Sequence, residues 1–412
     1  MKSNRFKELD MMRGFAACWV LGIHYWSYNI IPPFFGYTNF LEYLKVVGPA
    51  STLAKFFPLP FNGVGNIVFD LLNIFFLLGY QGVHIFFILS GFGLAYSRIL
   101  KPDESWITFM KKKFFRLYPT YWILLVVSLI IPRLRSDLFF GYFDWFSLWR
   151  SLIILDKAIP FSWFMFPLIQ FYLCFLLLFK FLQKYSVSQF IWTSLLIKLT
   201  YTFLILMVGF NLSLQQKKII IGDFGYPGYL AISRLFEFCL GMAMAKVYAT
   251  NPNLLINYLT KPITIILAII CELVGIMGSL KFANNLKILG VNFPLGLSFY
   301  DAFIGFGIFV IVFNVCRKLS KLSDLTTRFL TGLSHISYEL YLTQFIGLII
   351  IKKFFIVLVQ GEPLLLSAGR AILVYVLMIQ ICIAIAFLLQ YLTNSIASPF
   401  RLAMGSFSSG IK

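Results

Sequence analysis

The chain alternates between long apolar runs and short polar segments that carry most of its charge. A transmembrane helix needs about 20 mostly apolar residues to cross the hydrocarbon core of a bilayer. Ten segments approach this length, the third being the shortest, and they are residues 12–30, 70–97, 118–132, 161–182, 189–209, 229–249, 262–279, 297–316, 333–351 and 369–393. The pattern predicts an all-α integral membrane protein, a bundle of about ten transmembrane helices.

The positions of lysine and arginine predict the orientation, because cytoplasmic loops carry an excess of these residues. With the N-terminus inside, the cytoplasmic segments hold 20 of them, the outer segments hold 14, and Lys198 lies within the fifth span. An even number of spans returns the C-terminus to the cytoplasm. We expect a single transmembrane domain over residues 1–400, a short cytoplasmic tail over 401–412, and a long outer connection over 31–69 that lies along the interface.

Composition excludes a soluble globular protein. Of 412 residues, 60% are hydrophobic and 12% are charged, whereas soluble domains carry about 25% charged residues. The net charge of +19 sits in short clusters between apolar runs, which favours anionic lipid over nucleic acid as the partner. The six cysteines lie in or beside apolar segments without metal-ligand spacing, so we expect no disulfide and no metal site.

The first predicted span carries the sharpest chemical signal, since ionisable groups inside a membrane are costly and usually functional. Arg13 begins this span and His24 follows eleven residues later. Three helical turns, about 16 Å, separate them, so both side chains point to nearly the same face. Arginine suits phosphate binding, and histidine suits a general base or a transient acyl carrier. Alternatively, His24 is packed against a neighbouring helix and Arg13 reaches lipid headgroups.

Two further cations and one acid accompany Arg13. Lys113 and Arg116 lie in the basic segment KKKFFRLYPTYW and are candidates to complete a phosphate site, or else they are an orientation signal beside an aromatic belt. Asp10 precedes Arg13 by three residues. This acid could orient Arg13 through an i,i+3 pair, or it is an ordinary carboxylate at a helix start.

The second predicted span adds two further candidates for substrate binding. His84 is a possible second catalytic or acceptor-binding group, or a packed side chain. Ser90 follows in the same span, but no G-x-S-x-G elbow surrounds it, so a hydrolase-like nucleophile is not expected. We predict that His84, Ser90 and Asp10 contact the substrate. Arg234 and Glu237 form an i,i+3 pair that can neutralise itself.

Five segments in order resemble the membrane acyltransferase-3 family, the multi-pass bacterial O-acyltransferases of surface glycans. These segments are ELDMMRGFAACWVLGIHYW, GVHIFFILSGFGLAYS, KKKFFRLYPTYW, SRLFEFCLGM and ISYELYLTQ. The resemblance implies transfer of an acyl group, usually acetyl, from cytoplasmic acyl-coenzyme A to a sugar hydroxyl. Arg13 and His24 match the family's paired arginine and histidine. It further implies a location in the bacterial cytoplasmic membrane.

The chain departs from the family pattern at two places. Many members carry a glutamate in the fourth span, where this chain has Leu168 and Gln170. The ninth span often ends its signature in histidine, where this chain has Gln344. The sequence is also compatible with a function from a different class, a transporter or flippase for a glycan or lipid-linked sugar. The spacing of Arg13 and His24 favours the acyltransferase.

Overall fold

The protein is described by a computed structural model, and the part that it describes is almost entirely helical. The described residues are 6–29, 64–130, 164–211, 230–285, 287–288, 291–292, 295–355 and 364–409. Residues 31–63 of the predicted outer connection therefore lie outside the described residues. The helical fold agrees with the class that the apolar pattern predicts.

Six helices form the first half of this part. They are α1 (Lys7–Asn29), α2 (Val64–Leu77), α3 (Gly82–Leu100), α4 (Trp106–Ile130), α5 (Met165–Lys184) and α6 (Val187–Asn211). A short 3-10 turn, Leu78–Gln81, joins α2 to α3.

Seven helices form the second half, after a 3-10 turn over Ala231–Arg234. They are α7 (Leu235–Thr250), α8 (Pro252–Thr260), α9 (Pro262–Asn285), α10 (Leu295–Leu322), α11 (Asp324–His335), α12 (Ser337–Phe354) and α13 (Leu364–Ser409). Between α9 and α10, β1 (Lys287–Ile288) pairs antiparallel with β2 (Val291–Asn292).

Four helical stretches in the described part are long and apolar enough to cross a membrane. They are Leu71–Leu100, Met165–Lys184, Tyr300–Leu322 and Leu365–Ser395. A fifth exists if the bent pair Pro252–Thr260 and Pro262–Gly278 crosses as one span. The total of ten spans and the cytoplasmic position of both termini stay predictions.

Local sequence explains the 59° bend in this pair. The side chain of Asn251 caps α8 by accepting a hydrogen bond from the backbone N–H of Leu254 at 3.2 Å. Lys261 then has an extended backbone with ψ of 135°, because the ring of Pro262 disfavours the helical conformation in the residue before it. The chain therefore ends one helix and starts another within a single residue.

Two helices extend beyond the segments that hydropathy predicts. Helix α4 begins at Trp106, so the basic cluster Lys111–Arg116 lies on a helix and not in the loop that the sequence suggests. Helix α13 continues to Ser409, past the predicted end of the domain at residue 400. Hydropathy detects only the apolar part of a helix. A polar turn that continues the same helix gives no hydropathy signal.

Helix α1 lies in the interior of the bundle. Its Met11, Met12, Ala16 and Leu21 are fully buried, and it contacts α3, α10, α11 and α12. Large apolar side chains are exposed instead on peripheral helices, including Leu173 on α5 and Trp192 on α6. Such exposure fits a protein surrounded by lipid, in which apolar side chains need no protein cover.

Helices α3 and α7 pack against each other through two glycines. A Cβ atom on Gly91 would come within 2.0 Å of the Phe238 carbonyl oxygen, and one on Gly241 within 1.9 Å of the Ile88 carbonyl oxygen. Only glycine permits two backbones to approach so closely. This crossing sets the position of α3, which carries Ser90 and His84.

Candidate functional site: a cationic cavity beside a buried histidine

Three cationic side chains from two helices line one cavity of about 180 Å³. Arg13 reaches it from α1, and Lys113 and Arg116 reach it from α4. Ser90 on α3 lies in the same wall. Among the described residues that line the cavity, none is an aspartate or a glutamate. The cavity is therefore suited to an anion.

Helix α12 contributes to the cavity with its first turn. Ser337 and Tyr338, the first two residues of α12, line the cavity together with Tyr341. The N-terminus of a helix carries a partial positive charge, which adds to that of the nearby cations. The Tyr338 hydroxyl donates a hydrogen bond to the Leu117 carbonyl oxygen at 2.8 Å. This bond fixes α12 against α4.

Lys113 has an altered proton affinity. Burial, and secondarily the nearby Arg116 charge, lower the pKa of Lys113 to about 8. Its ammonium group also lies 5.2 Å from the centre of the Phe109 ring. A bound anion favours the charged form of lysine and opposes these effects. Lys113 is thus a cation whose charge depends on pH near the physiological range.

His24 does not line this cavity in the part of the chain that the structure describes. Its Nδ1 atom lies 2.8 Å from the Oε1 atom of Gln344 on α12. Gln344 follows Tyr341 by one helical turn, and Tyr341 is a cavity residue. His24 and the cavity are therefore neighbours along the packed faces of α1 and α12. Gln344, at one of the two places where the chain departs from the family pattern, thus contacts His24.

His84 also lies away from the cavity, in a buried ionic cluster that joins α3 to four other segments. Its Nδ1 lies 3.2 Å from Glu237 Oε1, and its Nε2 lies 3.5 Å from Asp301 Oδ1. Arg234 contacts Asp301 Oδ2 at 2.7 Å and Glu237 Oε1 at 3.4 Å. Lys198 Nζ lies 3.2 Å from Glu237 Oε2, and both of these side chains are fully buried.

The sequence reveals only fragments of this cluster. The i,i+3 relation of Arg234 and Glu237 is visible in the sequence and is present in the structure. Lys198 is visible as one charge inside a predicted span, but its partner is 39 residues away. Asp301 was missed, and its one signal is an acid near the start of a predicted span. Two cations and two carboxylates balance each other in this cluster.

The remaining candidates have simpler surroundings. Asp10 is partly buried on α1, one turn before Arg13. Gln170 accepts a hydrogen bond from the Ala231 backbone N–H at 2.9 Å, while Leu168 lines the cationic cavity. No group of histidine, cysteine and acidic side chains among the described residues is arranged to hold a metal ion. All six cysteines are free thiols.

The helices and the cavity define a multi-helical membrane protein with a cationic cavity beside a histidine in its interior. A family model described as "Acyltransferase domain" matches residues 6–391 of this chain. The chain belongs to this acyltransferase family.

One characterised relative is the acyltransferase MdmB of Streptomyces mycarofaciens. It is 26% identical over 187 residues, which cover 42% of this chain and 48% of the relative. The chain thus spans about half the length of the curated relative that it matches. No solved structure matches the chain significantly.

Proposed function

We propose that this protein is a membrane O-acyltransferase that moves an acyl group, usually acetyl, from cytoplasmic acyl-coenzyme A to a hydroxyl of a surface or lipid-linked glycan. Family membership supports acyl transfer, and the distant relative is also named an acyltransferase. The bacterial cytoplasmic membrane is the expected location. The observation that carries the proposal is the convergence of Arg13, Lys113 and Arg116 on one cavity next to the helix face that bears His24.

The cavity suits the phosphate end of the donor. Coenzyme A carries several negative charges at one end and a thioester at the other. Arginine binds phosphate through paired, charge-assisted hydrogen bonds. A volume of about 180 Å³ is below the roughly 300–1,000 Å³ of whole drug-sized ligand sites, so it holds one end of the donor. The thioester then reaches towards His24, about 16 Å further along α1.

His24 acts as the general base that deprotonates the acceptor hydroxyl in this proposal, with transient acylation of its imidazole as the second route. Ser90, one of the residues predicted to bind the substrate, lies in the cavity wall and contacts the donor in this proposal. Asp10 and His84 keep supporting roles around Arg13 and around the α3–α7 crossing. Membrane lipid surrounds the bundle, and no nucleic acid takes part.

One observation favours a transporter instead. Buried ionisable clusters such as that around His84 also mark substrate or ion pathways in transporters. A flippase for a glycan or lipid-linked sugar would move its substrate without using the thioester.

Labelling in membrane vesicles tests the proposal. We expect radiolabel from acetyl-coenzyme A to enter glycan or lipid-linked sugar with the wild type, to fall at least about 100-fold in His24→Ala, and to require higher donor concentrations in Arg13→Gln. His335→Ala is the matched control, because His335 is exposed at the end of α11, and we expect full activity. Equal labelling by His24→Ala would remove His24 from the mechanism. Absence of labelling by folded wild type, with succinyl-coenzyme A also tried, would favour the transporter.

A further inference from the structure

Gln344 is fully buried on α12, and its side-chain amide has two different environments. The Oε1 atom lies 2.8 Å from His24 Nδ1. The Nε2 atom has no hydrogen-bond partner among the described residues. Buried amide groups are nearly always satisfied, so an unsatisfied one in the interior needs an explanation.

The contact with Oε1 holds the imidazole ring of His24 against α12. An amide oxygen only accepts hydrogen bonds, so Nδ1 of the neutral imidazole carries the proton and donates it to Gln344. The ring also has a hydrogen bond with the backbone of Val20 on its own helix. A general base needs its ring held in place. Gln344 contributes to this condition for His24 from the neighbouring helix.

The position of Gln344 along α12 connects this contact to the cationic cavity. Ser337, Tyr341 and Gln344 follow an i, i+4, i+7 spacing and share one face of the helix. Ser337 and Tyr341 line the cavity, and Gln344 lies one turn beyond them. The amide of Gln344 therefore lies one helical turn beyond the wall of the cationic cavity.

We propose that Gln344 is a positioning residue for His24 and that its Nε2 group donates a hydrogen bond to the thioester carbonyl oxygen of the bound acyl donor. This inference rests on the proposed acyl transfer. The carbonyl oxygen gains negative charge in the transition state, and a preorganised donor there is worth most in a site without water. The bound donor gives the buried N–H group an acceptor, which none of the described residues supplies.

The chemical step balances with these groups. The acceptor hydroxyl oxygen forms a bond to the thioester carbon as its proton passes to His24 Nε2. The carbonyl π electrons move to the oxygen, where the Gln344 N–H group stabilises the charge. When this intermediate collapses, the carbon–sulfur bond breaks, and the coenzyme A thiolate takes the proton from His24. The products are the ester and free coenzyme A.

Two substitutions at Gln344 separate its roles. Gln344→Met keeps the size of the side chain but removes acceptor and donor, so we expect kcat to fall by more than about 100-fold while the KM for acetyl-coenzyme A changes little. Gln344→Glu keeps an acceptor for His24 but removes the donor, so we expect a smaller fall. Gln390→Met is the matched control, since the Gln390 amide donates to the His335 carbonyl oxygen at 3.4 Å on α11, away from His24.

Infrared spectroscopy provides a readout that is independent of turnover. Acetyl-coenzyme A with a ¹³C-labelled carbonyl is bound to the inactive His24→Ala protein, and to His24→Ala combined with Gln344→Met. We expect the carbonyl stretch to lie at lower frequency when Gln344 is present. If Gln344→Met fails to fold, the carbonyl stretch is compared with and without Gln344→Glu in the same His24→Ala protein.

The outcomes distinguish the two levels of the proposal. Active wild type with undiminished Gln344→Met and Gln344→Glu, or identical carbonyl stretches in both proteins, would overturn the role of Gln344 and leave acyl transfer intact. Folded wild type that transfers no acyl group would overturn both. A loss confined to KM would assign Gln344 to donor binding only and overturn its role in the chemical step.

Discussion

At the scale of single residues, the cationic cavity holds charges that repel each other when no anion is bound. Arg13, Lys113 and Arg116 bring like charges to one cavity. Like charges raise each other's electrostatic energy, and the charge of Arg116 adds to burial, the larger cause, in lowering the pKa of Lys113. An anion relieves the repulsion. This is the arrangement expected for binding and not for structural stability.

We expect Lys113 to make donor binding dependent on pH. Its pKa of about 8 means that the free enzyme loses this charge as the pH rises from 7 to 9.5. The ratio kcat/KM reports groups of the free enzyme, so we expect kcat/KM for acetyl-coenzyme A to fall by about tenfold, equivalent to about 1.4 kcal/mol. Initial rates across this range measure the effect.

Lys113→Arg distinguishes the contribution of Lys113 to the pH profile from the contributions of other titrating groups. Lys113→Arg stays charged throughout the range, and we expect its alkaline fall to disappear. Lys111→Arg is the control, because Lys111 is exposed on the same helix and its replacement leaves the fall in place. An identical alkaline fall in wild type and Lys113→Arg would exclude Lys113 as its source.

At the scale of helices, glycine determines how closely the elements of the site approach. Gly91 faces the backbone of α7, whereas Gly93, two residues further along α3, faces the cavity. A Cβ atom on Gly93 would find only the Arg13 guanidinium within 4 Å, at 4.0 Å. Gly91 therefore permits close packing of two helices, whereas Gly93 leaves space in the cavity beside Arg13.

Alanine at each position tests this difference. In Gly91→Ala the new methyl group meets the Phe238 carbonyl oxygen, and we expect a loss of stability of about 1–3 kcal/mol from overpacking. In Gly93→Ala the methyl group has room, and alanine favours the helix by up to about 1 kcal/mol. Thermal unfolding in detergent compares the two variants. Equal midpoints for both would contradict the close packing of α3 on α7.

A substitution at Gly93 can also place a charged side chain inside the cavity. Gly93→Asp places a carboxylate near Arg13, where it competes with a bound phosphate. We expect the KM for acetyl-coenzyme A to rise by about tenfold or more, with Gly93→Ala close to wild type. Donor titration under initial-rate conditions measures both. An unchanged KM in a folded Gly93→Asp protein would argue against phosphate binding at Arg13.

At the scale of the whole molecule, the ionic cluster joins α3, α6, α7 and α10 in the interior. Glu237 is its centre, because it contacts Lys198, Arg234 and His84. A buried ion pair is a weak source of stability, but removal of one partner is costly since the other charge stays buried. The cluster therefore holds the relative positions of four helices.

Substitution of Glu237 measures this constraint. Glu237→Leu leaves Lys198 as an uncompensated buried charge, and we expect a loss of about 3–5 kcal/mol. Adding Lys198→Met is expected to restore part of the stability, because the unpaired cation is removed. Asp324→Asn is the control at an exposed ion pair with Arg328, where at most about 1 kcal/mol is expected. If Glu237→Leu and Asp324→Asn lower the unfolding midpoint equally, the structural role of the cluster is refuted.

Much of the architecture follows from the sequence alone, since burial in lipid demands long apolar helices whose signal is local. The helical class and the shared face of Arg13 and His24 depend on composition and helical period, both of which can be read along the chain. Helix limits were less accurate at Trp106 and Ser409, because polar turns extend a helix without an apolar pattern.

The contacts between distant parts of the chain depended on tertiary structure. His24 and Gln344 are separated by 320 positions, and Lys198 and Glu237 by 39. No local pattern predicts which of several helix faces meet, since apolar surfaces pack without directional preference. Polar partners inside the bundle are determined by that packing. The sequence by itself therefore determined which residues are candidates for the chemistry, and the packed helices decided that Gln344 contacts His24 and that His84 belongs to a buried ionic cluster.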